Sequence, residues 1–392
     1  MVSHTLANAP PAAQEEVSLR SAEPSTARLI GFDGIRGLAA LFVVLHHTFM
    51  RSFPGYPVNT GPFWVGWLIY GHFAVVVFIV VSGFSLSVSP ARSGWELGGV
   101  ARFAHRRAWR ILPPYWAALV FSLLVAWLIV PQPGQAMPDG RSVVVNGLLL
   151  QDAVDAWSPN RAFWSIAVEA HLYLVFPLLI LMVRRVSAIA MLAAVTFVVV
   201  SVGLLAPYTS FVDGLMRLTP QFAALFAVGI LAAGIVAASQ RLRSWPWHWL
   251  ALATAAPVVA VMAWQGSARA IGQHLFWIDL AFGPAIGCLL AAVATGRPAA
   301  LVRLLDTRPL RRLGSFSYSL YLVHAPILVI GCELIVESFI RQGVPSFLVS
   351  LAFVVPVTVA FAWLFASVFE IPFQRQRSWR ALLSVLPRRT SN

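Results

Sequence analysis

The feature that most constrains this chain is a series of long apolar runs separated by short segments in which arginine collects. Ten runs can be marked, at about 34–50, 63–89, 111–130, 162–183, 186–206, 218–238, 246–265, 273–295, 313–336 and 345–369. Most reach the roughly 20 residues that a helix needs to cross a hydrocarbon core about 30 Å thick. In lipid the backbone must satisfy its own hydrogen bonds, so runs of this length fold as helices. The expected fold is all-α, a polytopic transmembrane bundle of about ten helices. A length of 392 residues allows two or three soluble domains. Composition excludes that reading, because 59% of residues are hydrophobic and only 11% are charged, against a soluble average of about 25% charged.

Every basic residue is an arginine, 28 in all. With the N-terminus placed in the cytoplasm, all but six of these 28 fall in cytoplasmic segments, the exceptions being Arg51, Arg141, Arg161, Arg217, Arg269 and Arg341. An odd number of spans scrambles this asymmetry, so the positive-inside rule places both termini in the cytoplasm and the chain in the cytoplasmic membrane. The same asymmetry accounts for much of the net charge of +13. A nucleic-acid partner is not expected, since no basic stretch is interleaved with an RNA- or DNA-binding module.

Cys288 and Cys332 both sit in apolar runs, which indicates neither a disulfide framework nor a cysteine metal site. No metal is expected. Residues 1–28 are rich in Ala, Pro, Ser and Glu and read as a disordered cytoplasmic tail, without the uninterrupted apolar core of a cleaved signal peptide. Residues 374–392 read as a basic cytoplasmic tail, leaving 29–373 as one transmembrane domain. In the largest outside segment, Pro131–Arg161, Asp139, Asp152 and Asp155 surround the apolar stretch Val143–Leu150. That stretch is too short to span and is expected to be re-entrant or interfacial. The second run is long and is expected to unwind or kink at Ser82-Gly83.

Four stretches carry polar chemistry. The first, Phe32–His47, reads FDGIRGLAALFVVLHH and sets Asp33, Arg36, His46 and His47 in an otherwise apolar helix. Arg36 and His47 lie roughly 16 Å apart along it, about half the depth of the core. Ionisable groups at such depth usually face a cavity in which they act. The second, ARFAHRRAWRILPPYW, follows the second run. Arg102, Arg106 and Arg110 recur there at i, i+4 and i+8 with Arg107 beside them, so they share a helical face. That face is either a topology anchor, with Trp109, Tyr115 and Trp116 at the interface, or a clamp for a polyphosphate such as coenzyme A. The third, NRAFWSIAVEAHLYLVFPLL, holds Glu169 near Trp164, Ser165, His171 and Tyr173. A buried carboxylate there is a structural ion pair or a catalytic or orienting acid. The fourth, LGSFSYSLYLVHAPIL, places His324 inside a helix near Ser317, Tyr318 and Tyr321, as a packing or a catalytic histidine. Asp279 and Glu333 are two further intramembrane carboxylates.

Together these stretches resemble the membrane acyltransferase 3 family of bacterial O-acyltransferases. The first helix resembles the family signature in which a basic residue and a histidine flank ten residues, here Arg36 and His47. FIVVSGF, RRAWRILPPY, WSIAVEAHLY, LGSFSYSLYLVHAP and FEIPF resemble the later motifs in order, so the likeness runs over about residues 30–373. Two departures are His46, where an aromatic is more usual, and His171-Leu172-Tyr173, which replaces a more aromatic run. An appended hydrolase-like domain of the kind some members have is not expected.

The resemblance implies transfer of an acyl group, commonly acetyl, from cytosolic acyl-CoA to a hydroxyl of a glycan, lipid-linked sugar or other glycosylated acceptor. Such a reaction needs a base, a stabiliser for the oxyanion and a grip on the donor phosphates. His47 is the expected base, because imidazole titrates nearest neutral pH. Arg36 is expected to bind donor phosphate or orient the base, with Asp33 holding Arg36. Glu169 is expected to orient a histidine, His324 is the second candidate base, and Arg102, Arg106, Arg107 and Arg110 are the candidate CoA-binding residues. Ser82, Ser165 and Ser317 are candidate carriers should an acyl-enzyme form. Two alternatives stand beside this reading. One is O-acylation of a small metabolite such as a macrolide sugar; the other is a proton-coupled transporter, against which there is no inverted repeat.

Overall fold

The computed structural model describes residues 29–58, 61–154 and 156–376. The expected N-terminal tail, the C-terminal tail from residue 377 and Asp155 lie outside the described residues. Within them the chain is helical, with no strand. The main elements are α1 (Phe32–Ser52), α2 (His72–Arg92), α3 (Val100–Leu128), the short α4 (Gly140–Gly147), α5 (Phe163–Arg185), α6 (Ala188–Leu205) and α7 (Gln221–Ala233). They continue with α8 (Trp247–Gln265), α9 (Leu275–Ala294), α10 (Arg308–Ser315), α11 (Ser317–Leu328), α12 (Val355–Phe369) and α13 (Ile371–Arg375). A π-helical stretch, Val329–Val336, prolongs α11, and a second, Ser350–Val354, leads into α12.

Among the described residues, eight stretches are long and apolar enough to cross a membrane, and a ninth is a pair of helices, Ser210–Met216 and Gln221–Ala237, bent by 52°. The first helix is not among them, although it has 21 residues, because Asp33, Arg36, His46, His47 and Arg51 lie along it. Burial separates core from periphery. In the span built on α11, 67% of residues are buried inside the protein, against 11% in the span built on α6, whose apolar side chains are left for lipid.

Two backbone-to-backbone contacts set the centre of the bundle. A Cβ on Gly34 would strike the carbonyl of Leu305, one on Gly314 would strike the carbonyl of Asp33, and one on Gly37 would meet the nitrogen of Gly314 at 2.8 Å. The glycines of DGIRG and LGS therefore let α1 press directly onto α10 and onto the end of the short helix Ala299–Leu305 before it. Likewise a Cβ on Gly83 would strike the carbonyl of Phe226, and one on Gly229 the carbonyl of Val80, so α2 and α7 touch through glycine. Small residues serve this purpose in lipid, where close packing replaces the hydrophobic drive between helices.

That contact corrects one expectation. α2 runs without interruption through Ser82-Gly83, and the break in the second run falls instead at Gly71, between a 3₁₀ turn at Gly66–Tyr70 and the start of α2. The arginine segment after it forms the first turns of α3, which carries Pro113 and Pro114 within one helix. The Val143–Leu150 stretch begins within the eight-residue α4 and continues past its end at Gly147; α4 is N-capped by Asp139, which accepts from Ser142 N at 2.7 Å.

Candidate functional site

Helix α1 lines two cavities, one near each of its ends. The first, the arginine cavity, measures about 250 Å³ and is bounded by Asp33, Arg36, Ser82, Ser85, Arg107, Arg110, Ser165, Glu169, Tyr173, Tyr318, Tyr321 and Glu370, among others. The second, the histidine cavity, measures about 520 Å³ and is bounded by His46, His47, Arg51, Tyr56, His72, Trp164, Tyr321 and Glu333, among others. Val75 and Tyr321 line both and form the partition between them. A third hollow of about 380 Å³, with Asp152 and Arg217 on its walls, shares Arg161 and Trp164 with the histidine cavity and forms its vestibule.

In the arginine cavity the guanidinium of Arg36 donates to Ser85 Oγ at 2.8 Å and lies 3.9 Å from Asp33, one turn back on α1. Ser165, Glu169 and Tyr173 recur at i, i+4 and i+8 on α5, which turns all three to this space. Glu169 accepts from Ser82 Oγ at 2.6 Å and from the hydroxyl of Tyr173. Glu370, 3% exposed, accepts from Ser319 N at 3.0 Å and from Gln374 Nε2 at 2.8 Å. Both carboxylates thus hold hydroxyl or amide donors. Arg107 keeps a buried Nε without a hydrogen-bond partner among the described residues.

The histidine cavity is built differently. His47 Nδ1 lies 2.9 Å from the carbonyl of Val43, four residues back on α1. His324 Nδ1 lies 2.7 Å from the carbonyl of Tyr321. A carbonyl only accepts, so both rings carry the proton on Nδ1 and leave Nε2 with a lone pair. The rings are 5.0 Å apart, and the Nε2 of buried His324 has no hydrogen-bond partner among the described residues. His46 is spent on structure: its Nδ1 donates to the Leu68 carbonyl at 2.7 Å, and its ring fills the space beside Gly71. Arg51 pairs with Glu333 on the cavity wall. In the vestibule, outside the helices, burial pushes the Asp152 carboxyl up to about 6.

The structure thus gathers Asp33, Arg36, Arg107, Arg110 and Glu169 around one cavity and sets His47, backed by His324, on the other. It corrects two sequence readings and adds a pair that the sequence did not link. Arg102 and Arg106 line neither cavity, whereas Arg107 and Arg110 do, so the helical face that matters is offset from the i, i+4, i+8 set. Glu169 orients no histidine among the described residues; its partners are a serine and a tyrosine. The carboxylate that does hold a histidine is Asp279, bonded to His72 across 207 residues, and His72 was not singled out from the sequence. It lies inside the run at about 63–89, where nothing in the sequence set it apart.

A family model described as an acyltransferase domain matches residues 29–367. The chain belongs to the acyltransferase 3 family. Among curated proteins, this acyltransferase is 28% identical over 337 residues to the acyltransferase MdmB of Streptomyces mycarofaciens, covering 79% of this chain and 82% of that one. It is 22% identical over 327 residues to the peptidoglycan O-acetyltransferase OatA of Listeria monocytogenes serovar 1/2a, covering 76% of this chain but 49% of OatA. No solved structure matches. Family membership sets the transporter alternative aside, and the cavities become the place to look for acyl transfer.

Proposed function

We propose that the protein is a ten-span O-acyltransferase of the cytoplasmic membrane with both termini in the cytoplasm. On this reading acyl-CoA, as acetyl-CoA, meets the arginine cavity from the cytosol, and a hydroxyl acceptor meets the histidine cavity from the far side. The eight apolar spans, the bent pair and the polar α1 together support the count of ten. The arginine distribution supports the orientation. The observation that carries the reading is the partition itself: three arginines face one space, an imidazole with an open lone pair faces the other, and one tyrosine and one valine lie between.

Size and chemistry support this division. Pockets that enclose a whole ligand run to about 300–1,000 Å³. The arginine cavity, at about 250 Å³, has room for an acyl-bearing arm and not for a nucleotide. Arg107 and Arg110 would hold the phosphates at its mouth, since guanidinium forks match phosphate oxygens. The histidine cavity, at about 520 Å³, has room for a sugar ring. There Nε2 of His47 takes the proton of the acceptor hydroxyl, and the hydroxyl oxygen bonds to the thioester carbonyl carbon. The carbon–sulfur bond then breaks, and the thiolate leaves on the arginine side and takes up a proton. At the partition the hydroxyls of Tyr321 and Ser165 are bonded to each other at 2.6 Å, so one of the pair keeps a proton to donate to the developing oxyanion.

A glycan hydroxyl is the proposed acceptor, a reading supported by the peptidoglycan in one relative's name. Thiol release from acetyl-CoA by the purified protein, with and without sugar acceptors, tests the function. Acceptor-dependent release, lost in His47→Ala, is expected. Release that ignores the acceptor, or an intact rate in His47→Ala, would refute it.

A further inference from the structure

The His72–Asp279 pair has no part in the transfer described above, yet it stands on the wall of the histidine cavity. His72 is the first residue of α2, and Asp279 lies within α9. His72 Nε2 sits 3.1 and 3.0 Å from the two carboxylate oxygens. Gln221 Nε2 donates to the same carboxylate at 3.3 Å, and Asp279 is 0% exposed. A carboxylate only accepts, so Nε2 carries a ring proton and Nδ1 is left to hydrogen-bond a bound molecule. Among the described residues Nδ1 has no hydrogen-bond partner, and the His72 side chain keeps 15% exposure. Trp164 lies nearly parallel to the imidazole, at 6.0 Å and 4°, and lines the same cavity. A pair that served only to tie α2 to α9 needs no face on the cavity, and apolar residues do that work as well.

We infer that His72, held by Asp279, binds the acceptor: Nδ1 hydrogen-bonds an acceptor hydroxyl other than the one acylated, with Trp164 as the flat wall beside it. The cavity therefore selects a polyhydroxylated ring over a simple alcohol, and the ring must present a second hydroxyl in fixed relation to the first. Sites built to pair a substrate hydroxyl reject analogues that lack it, because the buried partner is then left unpaired. This inference rests on the acceptor reading of the histidine cavity.

The test is a cycle between enzyme and acceptor, using the full chain in detergent, acetyl-CoA, a methyl hexopyranoside and its monodeoxy analogues. In the wild type, one analogue should lose roughly tenfold or more in kcat/KM. In His72→Ala the parent sugar should fall by a similar factor, with donor KM unchanged, and that analogue should fall no further. Removing the ring alone orphans a buried carboxylate, so His72→Leu with Asp279→Leu, which removes both partners together, provides a second reading of the same cycle. If the full deoxy penalty persists in these variants for every analogue, the inference is overturned and the pair is a structural tie. If the wild type shows no acceptor-dependent thiol release with any sugar, the acceptor reading itself falls, and this inference with it.

Discussion

The two cavities share a helix and a partition, yet they treat their polar groups in opposite ways. In the arginine cavity the carboxylates Glu169 and Glu370 are already engaged by hydroxyls and amides, and Arg36 is held by Ser85 and Asp33. At the histidine cavity His47 and His72 on its wall, and His324 behind His47, each have one nitrogen fixed and the other without a hydrogen-bond partner among the described residues. A fixed set of charges suits binding an anion, which requires no proton to move. A fixed ring with an open lone pair suits taking a proton, because the tautomer is chosen before the acceptor arrives. On the proposed reading, grip belongs to one end of α1 and proton transfer to the other.

The largest expected effect is at His47. His47→Ala should lower kcat by 10²–10⁴-fold, roughly 3–5 kcal/mol of barrier, with donor KM unchanged. His46→Phe should keep turnover within about tenfold and lower the melting temperature, because the bond to the Leu68 carbonyl is lost and the larger ring crowds Gly71. A collapse of turnover in His46→Phe with normal turnover in His47→Ala would place the base one residue away. Next comes the grip. Arg107→Ala with Arg110→Ala should raise donor KM by roughly tenfold per arginine and leave acceptor KM alone. Arg102→Ala with Arg106→Ala should change neither, and a raised donor KM in that pair would erase the boundary drawn by the cavity. Tyr321→Phe, at the partition, should lower kcat by about threefold to tenfold and shift neither KM, the size of one hydroxyl's hydrogen bond.

The smallest effect is in the vestibule. Asp152 holds its proton more tightly folded than unfolded, at about 6 against an ordinary 3.8. Its contribution to stability is therefore full below about pH 4 and is lost as pH rises through 6. Asp152→Asn should stabilise the protein above about pH 7, by about 1 kcal/mol after discounting for solvent, and should flatten the rise of melting temperature on acidification. An unchanged pH dependence in Asp152→Asn would assign that rise to another group.

Much of this could be read from the residues, and the failures have physical reasons. The polar content of Phe32–His47 marked the helix that lines both cavities, because groups so expensive in lipid are seldom idle. The glycines within it were harder to read. Gly34, Gly37 and Gly314 matter through backbones that meet from distant segments, and Gly83 resembles a breaker until Phe226 is placed against it. Arginine spacing gave a helical face but not which edge of that face turns inward, and the cavity uses Arg107 and Arg110. Glu169 was legible as a buried acid with Tyr173 near it, while its partner Ser82 was not, since Ser82 lies 87 residues away on α2. The His72–Asp279 pair, 207 residues apart, was invisible for the same reason.

The central claim is that the acyl group enters through one cavity and is received in the other. Inside-out vesicles containing the protein, with a sugar acceptor sealed in the lumen and radiolabelled acetyl-CoA added outside, test it directly. The account predicts labelled acceptor inside and free CoA thiol outside, both lost in His47→Ala, and no product when the acceptor is supplied only outside. Equal labelling of acceptor added on the same side as acetyl-CoA, with none in the lumen, would contradict it.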